Sequence, residues 1–514
     1  MKKAATVVII IYTSTQLLVA QKHQLPNQSN TFQEQLDHFI RTIRDEFDIK
    51  SGTSIGIVRN GKEIFLQSYG LRDKDHNLPV EIETPFYIAS TTKSFVAMLA
   101  KILESKGVLD LSSPISAYVP ELGINHDDNI TINDLLSHQS GIQNSFVGIR
   151  TAVTGQQNYM TLVSLFKKYS VSSVKEYNYD NVGYILVGII IQKVTGKSWQ
   201  EHLKTEIFDP FEMTNTSAYV SYFDNHNIAK GHVRTKEGTK GLSYFKNDKT
   251  MHAAGGMLST AQDVIKWLSM ITNNGVHKGN QFLKTKHISE LLLPHVYYDS
   301  SRALSIYEDY AYGLGWFISK RGDDELVNHE GGYYGFRTTI SLWEENTIGI
   351  AVLANEGSLF SARVNKLIAD YAYDLLSGKD SISTQKRTES LKVEIQKRVD
   401  KANQIESNIV DNLKTSKYKL RNNPLTMDIG SCQGVYSSSR LGDVQVKQEG
   451  DKLFISLGAV SGSVPIDTAK KGHFLVDFEI FVGEVKFYYN KNRVSFMMFN
   501  APGNFNWKFK KIRQ

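Results

Sequence analysis

The chain contains a single cysteine, Cys432, among its 514 residues. No intramolecular disulfide can therefore form, and a cysteine-rich zinc site is excluded. Because Cys432 lies far from the N-terminus, a lipid-modified N-terminal cysteine is excluded as well. The histidines form no cluster in the sequence, so neither a metal nor an organic cofactor is expected.

A dense block of lysine and arginine is also absent. The 59 basic and 53 acidic residues give a net charge of only +6 at pH 7. Such a mild and dispersed excess of positive charge does not favour nucleic acid as a partner. A hydrophobic content of 41% and a charged content of 22% are ordinary for a globular protein, and the length predicts two or three domains.

Long apolar runs are missing except at the N-terminus, where Lys2 and Lys3 precede the segment AATVVIIIYTSTQLLVA. This pattern predicts a signal peptide over residues 1–20, cleaved after Ala20, and hence a periplasmic or secreted protein. Leu18 occupies a position where a small residue is usual, so an uncleaved N-terminal anchor is the alternative. No other run approaches the length that spans a membrane.

Ser90 stands at the start of an amphipathic pattern in the stretch ETPFYIASTTKSFVAMLAKILESKG. Apolar residues then recur at helical spacing until Gly107, which predicts a helix with Ser90 at its N-terminus. Lys93 follows about one turn later, so its amine and the Ser90 hydroxyl can share one face. A nucleophile, an adjacent amine and unpaired backbone N–H groups are the components of acyl-transfer chemistry. An N-cap serine beside a solvated lysine is the alternative interpretation.

Two other signals for catalytic residues are weaker. Ser54 matches a G-x-S-x-G elbow, but that elbow needs a helix after the serine, and here a hairpin signal, Asn60-Gly61, follows. Ser54 is therefore predicted to lie in an ordinary strand. His138, in a loop after a short helix, is predicted to be a packed histidine that hydrogen-bonds its neighbouring loop.

Three further segments follow the Ser90 motif in a fixed order. Tyr179-Asp-Asn181 precedes a strongly apolar helix, STAQD follows a Gly-Gly pair, and His329-Glu-Gly331-Gly332 lies where strand patterns return. Together with Ser90-Thr-Thr-Lys93 they resemble the serine β-lactamase and penicillin-binding-protein superfamily. The most similar branch is the class C-like one (peptidase family S12), with D-alanyl-D-alanine peptidases, D-aminopeptidases and related esterases. The resemblance covers roughly residues 30–378 and rests on the joint order of motifs that are weak singly.

The resemblance implies an α+β fold in which a helical domain packs against a five-stranded antiparallel sheet flanked by helices. Residues 21–378 would form this hydrolase domain, with the active site between its two parts. Residues 379–427 are polar with a thin apolar stripe, which predicts a linker helix. From 428 to 514, short strands separated by turn residues predict a small all-β, barrel-like C-terminal domain.

The resemblance also implies catalytic roles. Ser90 would attack the substrate carbonyl, and either Lys93 or Tyr179 would take its proton; the sequence leaves both open as the general base. Asn181 would orient Lys93 and the substrate amide. The backbone N–H groups of Ser90 and Gly332 would stabilise the oxyanion.

Strand residues 329–332 carry a departure from the β-lactamase pattern. Gly331 and Gly332 suit an edge along which substrate lies against the backbone. His329 stands where β-lactamases of this kind usually have lysine, and histidine is mostly neutral at pH 7. This difference argues against an enzyme dedicated to destroying β-lactam antibiotics.

The sequence thus predicts an exported serine hydrolase that forms an acyl-enzyme on an amide or ester. Peptides containing D-amino acids are the expected substrates, with D-alanyl-D-alanine carboxypeptidase, aminopeptidase and esterase activities all open. A β-lactamase and a penicillin-binding or sensor protein that is acylated once are the alternatives. A third interpretation makes the C-terminal domain an adhesion or carbohydrate-binding module. The expected partner is a small-molecule or peptide substrate with an amide or ester bond. Nucleic acid is not expected, a membrane only at a possible N-terminal anchor, and the oligomeric state is left open.

Overall fold

The computed structural model describes residues 28–123, 129–172, 174–224, 227–235, 238–299, 307–343, 347–379, 385–386, 388–397, 400, 429–465, 473–478, 482–490, 493–501 and 505–513. The predicted signal peptide and most of the predicted linker lie outside these ranges. None of the helices within them combines the length and the apolar character that crossing a membrane requires.

The helices begin and end at signals that are visible in the sequence. The Thr260 side chain accepts a hydrogen bond from the Asp263 backbone N–H and so caps α8. Gly196, with φ of 75°, ends α6, as its position predicts. Over the described ranges the α-helices are α1 Gln28–Glu46, α2 Thr92–Ser105, α3 Ile132–Leu136, α4 Ser145–Ile149, α5 Tyr159–Tyr169, α6 Val182–Thr195, α7 Trp199–Leu203, α8 Ala261–Ile271, α9 Thr285–Leu292 and α10 Leu359–Leu376.

The strands fall into short pairs, one large sheet and a barrel. The first twelve are β1 Thr53–Arg59, β2 Lys62–Tyr69, β3 Leu71–Asp73, β4 Leu78–Pro79, β5 Phe86–Tyr87, β6 Ile142–Gln143, β7 Val171–Ser172, β8 His232–Thr235, β9 Gly238–Gly241, β10 Leu258–Ser259, β11 Val276–His277 and β12 Asn280–Gln281. The next six are β13 Val296–Tyr297, β14 Glu308–Tyr312, β15 Phe317–Arg321, β16 Asp324–Tyr333, β17 Phe336–Trp343 and β18 Ile348–Ala354.

The large sheet is antiparallel and runs in the order β13-β14-β15-β16-β17-β18-β1-β2. Asn60 and Gly61 join β1 to β2 with positive φ at both positions, 49° and 74°, as the predicted hairpin requires. The α+β class is confirmed. In the described residues the sheet is wider than the five strands that the resemblance implied, because β13, β14 and β15 extend it beyond β16.

The sheet separates two hydrophobic cores. One face packs against α1 and α10, and the other packs against the helical domain, chiefly through α8. Gly56 lets α8 approach β1 closely, since an added Cβ would lie 2.6 Å from Ile265 Cγ2 and 3.1 Å from the Ala261 oxygen. Ser54 is fully buried in β1 with its Oγ 3.0 Å from Ser68 Oγ, so the prediction of an ordinary strand is confirmed.

The C-terminal region forms a closed antiparallel barrel in which β19 pairs with β26. Its strands are β19 Gly434–Ser438, β20 Gly442–Glu449, β21 Lys452–Leu457, β22 Val460–Pro465, β23 His473–Asp477, β24 Val482–Asn490, β25 Arg493–Ala501 and β26 Phe505–Arg513. The barrel core also receives Phe146, Ile149 and Val153 from the hydrolase region, so the barrel docks directly on that region. Residues 388–397 of the linker are helical, and Ile395 is buried beside α1 and α10.

Candidate active site

Ser90 lies in a tight turn between β5 and α2. The 3-10 turn Ala89–Thr91 runs directly into α2. Ala89 has φ of 47°, a left-handed conformation that costs a residue with a Cβ roughly 1–3 kcal/mol. Ala89 and Thr91 are buried while Ser90 between them is partly exposed, so the strained turn presents the serine hydroxyl outward.

Lys93 is fully buried directly beside Ser90. Its Nζ lies 3.1 Å from Ser90 Oγ, 2.8 Å from Asn181 Oδ1 and 2.8 Å from the Ala254 carbonyl oxygen. Burial lowers the pKa of the Lys93 amine to about 7, with the Asp180 carboxylate acting in the opposite direction. A lysine that is partly neutral at physiological pH therefore contacts the serine hydroxyl.

Tyr179 completes this group from the loop before α6. Its ring centroid is 4.8 Å from Lys93 Nζ. Desolvation raises the pKa of the Tyr179 hydroxyl above its usual range, a hydrogen bond with Ser90 opposes the rise, and the Asp180 and Glu330 carboxylates add to it. The phenol therefore stays protonated near neutral pH, in contrast to the lysine beside it.

The loop that carries Tyr179 is held by His138, two residues after α3. Asp180 N donates to His138 Nδ1 at 3.3 Å, and Asn178 N donates to the His138 carbonyl oxygen at 2.9 Å. His138 is buried, and burial lowers its pKa well below the usual value. The prediction that His138 packs and hydrogen-bonds its neighbouring loop is confirmed.

Strand β16 passes directly over the Ser90 turn. An added Cβ on Gly331 would overlap the Ile88 carbonyl oxygen and lie 3.0 Å from Thr91 Oγ1. Glycine at 331 is therefore what allows this close approach. Gly332, the next residue, is exposed at this edge, so its backbone is accessible to a ligand.

His329 faces an aromatic cluster that the sequence did not reveal. It is fully buried near Tyr312 and Phe317. His329 Nδ1 is 2.8 Å from the Glu330 carbonyl oxygen, so Nδ1 carries the proton, and Nε2 accepts from the Tyr312 hydroxyl at 3.1 Å. Burial and the Lys93 charge lower the pKa of His329 to about 3. The imidazole is therefore neutral.

One acidic cluster has the spacing of a metal site. Glu104, His287 and Glu290 lie close together on α2 and α9. Lys101 Nζ is 2.5 Å from the Glu104 carboxylate and 2.6 Å from that of Glu290, so an ammonium group already neutralises these ligands. This arrangement is an ion-pair cluster rather than a metal centre.

Most of the chain is similar to one known protein family. Residues 39–373 match the family profile described as Beta-lactamase. The chain belongs to this family. It is a serine hydrolase of the β-lactamase and penicillin-binding-protein superfamily. The chain is 28% identical over 350 residues to protein flp of Staphylococcus aureus (strain NCTC 8325 / PS 47), an alignment that covers 66% of each protein, slightly less than two thirds of flp.

Solved structures of this superfamily have a similar fold. The octameric penicillin-binding protein homologue from Pyrococcus abyssi is 24% identical with a TM-score of 0.58, covering 93% of this chain and 99% of that chain. D-amino acid amidase from Ochrobactrum anthropi SV3, in complex with L-phenylalanine amide, is 25% identical with a TM-score of 0.57, covering 67% and 99%. The first likeness therefore extends beyond the hydrolase region into the C-terminal part of this serine hydrolase.

The structure brings Ser90, Tyr179 and Asn181 together around Lys93. Gly331 lies against the turn that carries Ser90, and Gly332 and His329 lie beside Gly331 on the same strand. Two contributors escaped the sequence analysis: the Ala254 carbonyl that accepts from Lys93, and the Tyr312 hydroxyl that fixes His329. The sequence shows the glycine-bearing loop HAAGG, but it cannot indicate which backbone carbonyl of that loop accepts a hydrogen bond, because every residue has one. For Tyr312, the sequence indicates only that it belongs to a strand.

Replacing Gly331 by alanine tests the close approach of β16 to the Ser90 turn. The added methyl group must push the strand away from Ile88. We expect acylation by an activated ester to slow by about 100-fold, since a displacement of about 1 Å can cost that much. The rate is measured by stopped-flow release of the chromophore.

Gly148→Ala, where an added Cβ meets nothing within 4 Å, is the matched control and should react at the normal rate. Normal acylation of Gly331→Ala would show that the strand does not need this contact.

Proposed function

We propose that the protein is an exported serine hydrolase that uses Ser90 as nucleophile and cleaves amides or esters with uncharged leaving groups. The observation that carries this proposal is the 3.1 Å contact between Ser90 Oγ and the Lys93 amine, whose pKa burial lowers to about 7. An appreciable fraction of such an amine is neutral at pH 7, and only the neutral form accepts a proton.

The proposed chemistry assigns Lys93 as general base and Tyr179 as proton donor. The Ser90 oxygen attacks the carbonyl carbon while its proton passes to Lys93, and the carbonyl electrons move onto oxygen. Backbone N–H groups of Ser90 and Gly332 would stabilise this oxyanion, a donor of this kind contributing about 3 kcal/mol. Tyr179 would protonate the leaving group as the bond between the leaving group and the carbonyl carbon breaks. Tyr179 would then regain a proton from Lys93. Water then releases the acyl group by the same route.

The electrostatics near His329 support an uncharged leaving group. His329 is neutral, with its pKa lowered to about 3, and therefore offers no cation for a substrate carboxylate. The charged side chains that act on the Tyr179 hydroxyl, Asp180 and Glu330, are both acidic. They would repel a carboxylate on the leaving group, and Glu330 also offsets the positive charge of Arg337, whose guanidinium lies beside Gly332. Ammonia, an amine without a carboxylate, or an alcohol fits this environment better.

D-amino-acid amides, esters and peptides are the proposed substrate class. The likeness to a D-amino acid amidase and the family match support it. A neutral His329 favours ammonia or an amine without a carboxylate as leaving group over the C-terminal D-alanine that a carboxypeptidase releases. It likewise disfavours the alternative of a β-lactamase, since β-lactam antibiotics carry a carboxylate. Export is proposed from the pattern of residues 1–20 alone.

Intact-mass measurement after exposure to a penicillin or a D-amino-acid ester tests the nucleophile. We expect one adduct per chain on the native protein and none on Ser90→Ala, because the acyl group is bound to Ser90 Oγ. Ser54→Ala, which alters the other serine in a nucleophile-like motif, should retain the adduct. An adduct that survives in Ser90→Ala would refute the assignment, and an adduct that never clears would favour the sensor alternative.

The pH dependence of acylation distinguishes the two candidate bases. With Lys93 as base, the rate should rise with pH along a limb whose apparent pKa is near 7, because raising the pH increases the neutral amine. Tyr179→Phe should react about 100-fold more slowly but keep the same limb. A limb that lies above pH 10 in the native protein would instead indicate that the Tyr179 phenolate is the base, because burial raises the pKa of that hydroxyl.

A matched pair of substrates tests the leaving-group preference. N-acetyl-D-alanyl-D-alanine amide and N-acetyl-D-alanyl-D-alanine differ only in the terminal carboxylate. We expect kcat/KM to be at least about tenfold higher for the amide, equivalent to about 1.4 kcal/mol, and His329→Lys to narrow or reverse the ratio. Equal or higher activity on the free acid would contradict an uncharged leaving-group site.

A further inference from the structure

Lys246 is a second buried lysine, outside the site described above. Its side chain is 4% exposed, and burial lowers its pKa to about 7. No carboxylate in the described part of the chain offsets this shift. Its Nζ donates to the carbonyl oxygens of Ala152 at 2.9 Å and Thr250 at 3.0 Å. Burying an ammonium group without an acidic partner costs folding free energy. The contacts that hold Lys246 in place therefore indicate what it does in the structure.

Lys246 lies between two segments that form the candidate site. Its Nζ is 5.4 Å from the ring centroid of Tyr87, three residues before Ser90, and 4.3 Å from that of Tyr333, directly after Gly332. Aromatic faces attract a cation at such distances. Lys246 therefore contacts both the segment that leads to the nucleophile and the strand that passes over it.

Tyr333 and Lys246 share one acceptor, the Ala152 carbonyl oxygen. The Tyr333 hydroxyl donates to it at 3.1 Å, alongside the Lys246 ammonium. The Tyr333 hydroxyl also lies 3.0 Å from the Tyr244 hydroxyl. Ala152 belongs to the π-helical turn Arg150–Thr154. The position of that turn therefore constrains the positions of the Lys246 amine and the Tyr333 hydroxyl, which both donate to it.

The C-terminal barrel docks on the same turn. Val153 packs on the barrel core, and an added Cβ on Gly458 would overlap the Thr154 carbonyl oxygen. Gln156 pairs with the backbone of Asp443 in both directions, donating at 2.8 Å and accepting at 2.6 Å. A displacement of the barrel would therefore displace the acceptor that Lys246 and Tyr333 share.

We propose that Lys246 is a positioning residue that couples the docked barrel to strand β16, and through it sets the place of Gly331 and Gly332 beside Ser90. Its consequence for catalysis rests on the proposed function. The barrel is then part of the hydrolase rather than an independent appendage. The opposite possibility, that Lys246 only adds stability, predicts no link between barrel docking and strand β16.

Hydrogen exchange measured by mass spectrometry tests the link without using activity. Lys246→Met keeps a side chain of similar size but removes the hydrogen bonds of Lys246 to Ala152 and Thr250. Gln156→Ala removes both hydrogen bonds between Gln156 of the hydrolase region and Asp443 of the barrel. We expect each variant of the full chain to speed amide exchange in the peptide covering 327–336 by about tenfold, since local opening controls such exchange.

Tyr169→Phe is the matched control. It removes a different contact with the barrel, the 2.9 Å hydrogen bond to Ser439 Oγ, which does not involve the turn. Its exchange over 327–336 should be unchanged. Normal exchange in this peptide for Gln156→Ala, or equal effects of Gln156→Ala and Tyr169→Phe, would overturn the coupling.

Acylation rates of the same variants test the consequence for the site. We expect about a tenfold loss for Lys246→Met, a smaller loss for Gln156→Ala, and a double variant no slower than Lys246→Met alone, because both changes break one linkage. Losses that multiply, or normal acylation of Lys246→Met despite faster exchange, would reject the positioning role. If the native protein forms no Ser90 adduct, the proposed function fails, while the exchange result still decides the coupling.

Discussion

The removal of water from the Lys93 amine is the constraint on which the rest of the site depends. An exposed lysine is protonated at pH 7 and cannot accept a proton from serine. Here three oxygen atoms from separate parts of the chain, on Ser90, Asn181 and Ala254, surround the buried nitrogen. They orient the amine but bring no negative charge, so burial dominates and the pKa falls to about 7. The same desolvation raises the pKa of Tyr179, so the two groups differ in protonation at neutral pH, which supports the proposed roles of Lys93 as base and Tyr179 as acid.

Close packing at the sheet edge positions strand β16 against the turn that carries Ser90. Strand β16 can touch the Ser90 turn only because residue 331 has no side chain. The strained backbone at Ala89 turns the serine outward at the same point. Two residues before Gly331 on the strand, His329 is buried among aromatic rings and neutral, so this part of the site is uncharged at that position. Residue 329, where β-lactamases of this kind usually have lysine, is therefore an uncharged imidazole in this protein.

The barrel meets the hydrolase region at the turn Arg150–Thr154, whose Ala152 carbonyl accepts from Lys246 and from Tyr333 of strand β16. Lys246 resembles Lys93 physically: both amines are buried, both donate to backbone carbonyls, and neither has an acidic hydrogen-bond partner among the contacts described. His252 feels the charge of both lysines, which lower its pKa together with burial. Two desolvated amines therefore act on this histidine, one beside Ser90 and one at the barrel-docking turn.

Local patterns in the sequence determined the parts of the structure that depend on neighbours along the chain. The one-turn spacing of Ser90 and Lys93, the hairpin at Asn60-Gly61 and the end of α6 at Gly196 follow from backbone geometry that a few residues specify. The alternating strands of the C-terminal region likewise predicted its all-β fold. The joint order of the motifs was enough to indicate the family.

Tertiary structure alone decided which groups lose their water and which distant segments meet. The sequence left the general base open, because the pKa of a lysine depends on packing by residues far along the chain. No sequence signal distinguishes Lys246 from the other lysines or Tyr312 from other strand residues, yet the fold places them against Ala152 and His329. Nothing local distinguishes a buried lysine from an exposed one, since burial is a property of the assembled core.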